Sequence, residues 1–138
     1  QKLIPSEAVS AGLYDINTDE IRLVSLTGPG GQDRKAEAVP CSAGLYGVAI
    51  SSGREVLLVD DVHHNPNFEF RIDGRPGLNP SNMLYMVLQK DGALLGAVQL
   101  INRTGRHAFD AEDASIATYV SQQLAKFLQE HRVGQARS

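Results

Sequence analysis

Cysteine is all but absent from this chain of 138 residues, with Cys41 alone, and tryptophan is missing altogether. One thiol excludes an internal disulfide and the small cysteine-stapled folds; it fits a reducing compartment, and a cytoplasmic location is the expectation. Charge of one sign is also scarce. The 13 Lys and Arg against 16 Asp and Glu leave a net charge of -3. No basic cluster interleaves with aromatics, so the footprint of a DNA- or RNA-binding protein is missing. Long apolar runs are lacking as well: none approaches the roughly 20 residues that span a bilayer, and the first residues carry no signal-peptide pattern. Neither nucleic acid nor membrane is expected as a partner. The glycine cluster Gly28-Pro29-Gly30-Gly31 lacks the lysine of a phosphate loop. The adjacent His63 and His64 have the wrong spacing to chelate together, and His107 and His131 stand singly, so no metal is expected.

What the chain does have is 42% hydrophobic content, enough for one core at this length and too little chain for two ordinary ones. A single domain is expected over residues 1–133, with 134–138 as a frayed end or a linker to an effector domain. Alternating residues from Ala8 to Ile16, a turn at Asn17-Thr18-Asp19-Glu20 and a run from Ile21 to Leu26 predict a hairpin. A short strand is predicted around Ala36 to Val39, then a helix from Gly44 to Ile50, capped by Ser42 and stopped at Gly53. Val56 to Val59 reads as a buried strand, Asn65-Pro66 as the opening of a helical turn, and Gly74 to Pro80 as a loop. Met83–Gln89 and Ala93–Ile101 are apolar strands joined by the tight-turn signal Lys90-Asp91-Gly92. Asp110 can cap a helix running to Val133, with Glu112 and Asp113 in its first turn and an apolar face of Ile116, Ala117, Val120, Leu124, Phe127 and Leu128. This order implies an α+β fold: a six-stranded antiparallel sheet flanked by helices.

Few residues invite a catalytic reading. Asp60-Asp61 close a strand, and Asp110 and Asp113 serve a helix start, each a sufficient structural reason. Cys41 reads as small buried filler rather than a stabilised thiolate.

On these elements the chain resembles the GAF family over nearly its whole length. The matching residues are Tyr14-Asp15, Val39-Pro40, Gly44-Leu45-Tyr46-Gly47, Asp61-Val62, Asn65-Pro66-Asn67-Phe68, Asp73, Gly77, Ser81-Asn82-Met83-Leu84 and Gly96 to Arg103, with Phe109 and Asp113. The last set is similar to the Asn-Lys...Phe...Asp-Glu signature of GAF domains in cyclic nucleotide phosphodiesterases and related adenylyl cyclases. Arg103 stands where that signature has Lys, and Ala114 where it has Glu. The resemblance implies a GAF/PAS-like fold and a regulatory domain with no catalytic residues. It implies a ligand pocket near Leu26, Thr27, Gly44, Leu45, Tyr46, Asp73, Gly77 and Gln99, braced by Asn102, Arg103, Phe109 and Asp113, with an ion pair between Arg103 and Asp113. No cofactor is implied; cAMP or cGMP is the regulatory ligand the resemblance offers, its phosphate held by the helix starts near Ala43-Gly44 and Asn65–Asn67. Pro76 and Pro80 stand where such binders carry Thr hydroxyls, and Leu26 and Thr27 where they carry an aromatic and an acid. Free methionine sulfoxide reductases of this fold need several cysteines, which the count excludes, and bilin attachment needs one between Val56 and Ser81. Expected partners are a small molecule, a covalently linked effector domain and a second copy docked through the terminal helices. The competing expectation is a ligand-free dimerisation and relay module whose interior is filled by its own side chains, such as Tyr46 and Phe70.

Overall fold

Two hairpins supply most of the sheet. β1 (Ser6–Asp15) turns back into β2 (Glu20–Thr27), with Asp19 taking the positive φ of 57° that the turn needs. β5 (Met83–Lys90) and β6 (Ala93–Arg103) meet through Asp91 and Gly92, at φ 54° and 80°, the two positive values of a two-residue hairpin loop. β3 (Ala38–Pro40) and β4 (Val56–Val59) flank them, giving a six-stranded antiparallel sheet in the order β3-β2-β1-β6-β5-β4. A computed structural model describes residues 4–31 and 37–131; the predicted strand start at Ala36, the predicted helix end at Val133 and the segment 134–138 lie outside them. No helix among the described residues is long and apolar enough to cross a membrane.

Both faces of the sheet are covered, which is why its central strands read as unbroken apolar runs. Met83, Tyr85 and Val87 of β5 face one core with Ile21, Leu23, Ala97 and Ile101, closed over by Leu45, Tyr46 and Ala49 of α1 (Gly44–Ser51) together with Val62 and Leu78. The alternate residues Leu84, Met86 and Leu88 face the other core with Leu95, Val98, Leu100 and Phe109, under α3 (Ala111–Glu130).

The contact face of α3 matches the expected one at Ile116, Ala117, Val120 and Leu128 and departs from it at Leu124 and Phe127. Its buried line is Asp113, Ala117, Ser121 and Ala125, residues one turn apart whose small side chains let the helix lie close on the sheet. Ile116, Val120 and Leu128 pack beside that line. The expected members Leu124 and Phe127 are 37% and 54% exposed, and Tyr119 is 63% exposed.

Candidate functional site

Residues 61–82, between β4 and β5, reach the α1 face of the sheet. They hold a 3-10 turn (Val62–His64) and α2 (Phe70–Asp73). The predicted helix start at Asn65-Pro66 is instead a side-chain turn, the Asn67 N–H donating to Asn65 Oδ1 at 2.9 Å, and the helix begins later, at Phe70.

Ser42 does not cap α1. Ala43 holds the N-cap position with no side-chain bond of its own, and the cap arrives from α2. The Leu45 N–H donates to Asp73 Oδ1 and Oδ2 at 3.1 and 2.9 Å, and the Gly44 N–H to Glu69 Oε2 at 3.2 Å. A helix start without a local cap leaves N–H donors pointing outward, and a carboxylate there also meets the positive end of the helix dipole. Proximity is secured by Gly44 itself, at φ +59°, where a Cβ would stand 2.5 Å from Asp73 Oδ2.

Asp73 is fully buried. Its carboxylate also accepts from the Glu69 N–H at 3.0 Å and from the Tyr85 hydroxyl at 2.9 Å. Gln99 on β6 completes the cluster: its Nε2 donates to the Asp73 carbonyl at 2.7 Å and to Tyr85 Oη at 2.9 Å, while its Oε1 accepts from the Tyr46 hydroxyl at 3.3 Å. The rings of Tyr46 and Tyr85 meet edge to face, centroids 5.0 Å apart. Burial pushes the Asp73 carboxyl above its ordinary range, opposed by the Leu45 and Glu69 N–H groups and the Tyr85 hydroxyl. Burial first, then the charge of Asp73, holds Tyr85 well above an ordinary phenol, so it stays a donor.

Arg75, two residues on, is equally buried and points to another wall. Its Nη1 donates to the carbonyls of Thr27 (2.6 Å) and Pro29 (3.1 Å), and its Nη2 to the Val9 carbonyl (3.0 Å) and Ser10 Oγ (3.1 Å). Sequence reasoning missed Arg75, Tyr85 and Glu69. Tyr85 had one signal, a hydroxyl inside an apolar strand that must find a partner; the other two had none.

The predicted residues therefore divide. Gly44, Leu45, Tyr46, Asp73 and Gln99 come together. Leu26 packs at the margin of the same core, Thr27 is exposed and contributes its carbonyl to Arg75, and Gly77 is an exposed turn residue at φ +81° with nothing within 4 Å of a Cβ.

The second group lies where β6 meets α3. Asn102, at φ 61°, accepts from the Ser81 N–H at 2.6 Å and donates to Glu7 Oε1 at 2.8 Å and the Asn79 carbonyl at 3.0 Å. Unbroken alternation would put Arg103 on the face of Gln99 and Ile101; the positive φ at Asn102 breaks it, and Arg103 reaches α3. There Arg103 Nε donates to Asp113 Oδ2 at 2.9 Å and Nη2 to Oδ1 at 3.3 Å, both side chains nearly buried. Asp113 and Asp110 complete a reciprocal capping box, and Phe109 is buried beside them.

Two surface clefts flank these groups. One, about 440 Å³, is lined by Asp60, Asp61, His63, Ser81, Asn82 and His107; the other, about 480 Å³, lies between α1 and Pro66, Asn67 and Glu69. Among the described residues no set of three His, Cys, Asp or Glu is arranged to hold a metal.

The architecture is the GAF fold. The chain is similar to the GAF domain from a phosphoenolpyruvate-protein phosphotransferase (ptsP) of Coxiella burnetii, with TM-score 0.77 and 16% identity over 96% of this chain and 77% of that one. It is similar to the GAF domain of a two-component sensor histidine kinase from Bacillus halodurans (TM-score 0.75, 14% identity, 97% and 89% covered). A free methionine-R-sulfoxide reductase from Neisseria meningitidis, solved with its substrate, also shares the fold (TM-score 0.74, 23% identity, 92% and 70% covered). No protein-family model matches the sequence. Fold alone does not separate a sensor from a reductase, and the chemistry rests on this chain's residues. Here Cys41 is half-buried and its thiol is pushed up to about 11, by burial first and then by Asp19 and Glu20. Both effects favour the neutral thiol over the nucleophilic thiolate.

Proposed function

We propose that this chain is a regulatory GAF module of a larger signalling protein, in which a change in residues 61–80 passes through the sheet to α3 and an effector beyond it. The observation that carries this reading is that β6 bears polar contacts to both layers. Gln99 holds the Asp73 carbonyl on one side of the sheet, and Arg103, four residues along the same strand, holds Asp113 at the start of α3 on the other. A displacement of α2 has a connected route to α3. A small molecule is the input we assign, with cAMP or cGMP the first to test.

A ligand-free relay is the second reading, and a specific observation favours it. Tyr46, Tyr85 and Gln99 fill the space between α1 and the sheet, and the first N–H groups of α1 are already taken by Glu69 and Asp73. A cyclic phosphate at that helix start would have to displace both carboxylates. Phe70, 49% exposed, is not part of the filling. On this reading the module pairs with a second copy through α3, whose Tyr119, Leu124 and Phe127 are exposed beside Ile116 and Val120.

Thermal denaturation with cAMP, cGMP and a metabolite panel separates the two. A ligand at about 100 times its Kd adds about 2.7 kcal/mol, several degrees in Tm, and should shift the Asp113 amide resonance. No shift across the panel, together with a dimer in sedimentation that Phe127→Glu dissociates, would establish the ligand-free module instead.

A further inference from the structure

Residues 69–75 are pinned to two different walls of the domain by two buried charges. Asp73 and Arg75 are 0% and 1% exposed, yet they are separated only by Gly74 and reach different elements. The Asp73 carboxylate binds α1 and β5; the Arg75 guanidinium binds β1, the carbonyl of Thr27 at the end of β2 and that of Pro29 beyond it. The backbone between them is held as well, by Gln99 on the Asp73 carbonyl and by the Gly74 N–H donating to the Phe70 carbonyl at 2.9 Å. The loop after β2 in turn rests on this segment. A Cβ on Gly30 would stand 2.1 Å from the Pro76 carbonyl oxygen, and one on Gly31 2.9 Å from Arg75 Nη1.

We infer that residues 69–75 form a double-ended latch that opens as one unit, releasing the first turn of α1 and the loop after β2 together. Two charged groups with one glycine between them leave no slack for one to withdraw while the other stays seated. Withdrawing Asp73 strands the Leu45 N–H and the Tyr85 hydroxyl in a dry interior, and withdrawing Arg75 strands the buried Ser10 hydroxyl; either is costly. With one end out, the second end holds a segment that has lost its packing, and it follows. Whatever lifts the segment, ligand or partner, acts on both walls at once. The latch does not depend on the module having a ligand, so it stands or falls apart from the proposed function.

Native-state hydrogen exchange on the unmodified protein in low denaturant tests it. The amides of Leu45, bonded to Asp73, and of Gly31, bonded to the Gly28 carbonyl, should share one opening with one denaturant dependence, below that of global unfolding. Separate openings for the two amides, or merger of both with global unfolding, would overturn the latch. A double-mutant cycle gives a second reading: Asp73→Asn and Arg75→Met should each accelerate exchange at both amides by about tenfold or more, and the double variant should lose far less stability than the two losses added. Additive losses, each confined to its own wall, would refute it. Should a variant fail to fold, the exchange pattern of the unmodified chain decides alone.

Discussion

Gly44→Ala places one methyl group against the buried carboxylate that caps α1, and its cost can be worked out from the geometry. Gly44 sits at φ +59°, a conformation that costs a residue with a Cβ about 1–2 kcal/mol. The new Cβ would lie 2.5 Å from Asp73 Oδ2 and 2.9 Å from Ile72 Cγ2, closer than any real contact. A surface carboxylate would swing aside at little cost. Asp73 cannot, because the N–H groups of Leu45 and Glu69 and the Tyr85 hydroxyl all hold it in a site closed to water. Moving it leaves at least one of those donors unpaired, at about 1–3 kcal/mol. The combined loss is roughly 2–5 kcal/mol.

Gly53→Ala supplies the comparison. Gly53 follows the same helix at φ +75° and has nothing within 4 Å of a Cβ, so only the backbone cost of about 1–2 kcal/mol applies. Urea denaturation of both variants, read as the difference between them, isolates the carboxylate contact at about 1–3 kcal/mol. Equal losses for the two alanines would show that Asp73 yields freely and is not a fixed cap.

Three further outcomes follow from the same groups. Arg103→Met leaves the nearly buried Asp113 carboxylate without its cation and should cost about 3 kcal/mol in urea denaturation, whereas Arg106→Ala, at an exposed pair with Asp110, should leave stability unchanged within measurement. Cys41, its thiol pushed up to about 11, should alkylate slowly at pH 8, where roughly one molecule in a thousand carries the thiolate, and the rate should rise tenfold per pH unit to about pH 11; a plateau near pH 9 would show an ordinary thiol. The folded-state carboxyl of Asp73 lies above its unfolded value, so the native state takes up that proton first: the penalty is full at neutral pH and is relieved as pH falls from the raised value to the ordinary one. Asp110, held low mainly by the Asp113 N–H, has the opposite slope, its contribution lost as pH falls through its folded value. Stability of the parent minus Asp73→Asn, followed by urea denaturation through the acid range, should therefore rise on acidification, and a flat difference would refute the assignment.

The hairpins and the antiparallel sheet were legible because their signals are local, whereas the ion pair of Arg103 with Asp113 was implied by the family signature that the chain resembles. Lys90-Asp91-Gly92 marks a two-residue turn whatever lies elsewhere, and a nearly unbroken apolar strand such as Ala93–Ile101 announces cover on both faces. The face of α3 was read only in part: Ile116, Ala117, Val120 and Leu128 pack where periodicity puts them, and Leu124 and Phe127 do not. Hydrophobic spacing points to the bulkiest residues, but a helix lying tight on a sheet buries its smallest ones, here Ala117, Ser121 and Ala125, and leaves Leu124 and Phe127 at the rim.

The cap of α1 was misassigned on similar grounds, and its consequence reaches further. Ser42 was the nearest residue with capping chemistry, and local reasoning stops there. The carboxylates that do the work come from residues 25 to 28 positions away in the chain, and nothing in the sequence near Gly44 reports them except the glycine itself, which makes room. A helix start capped by a neighbouring segment is a different object from one capped by its own serine. The local cap survives when that segment moves; the borrowed cap does not, and the first turn of α1 loses its acceptor as soon as Asp73 leaves. Helix order on one face of the sheet is thereby made conditional on the position of α2, the conditionality that the proposed regulatory role would need.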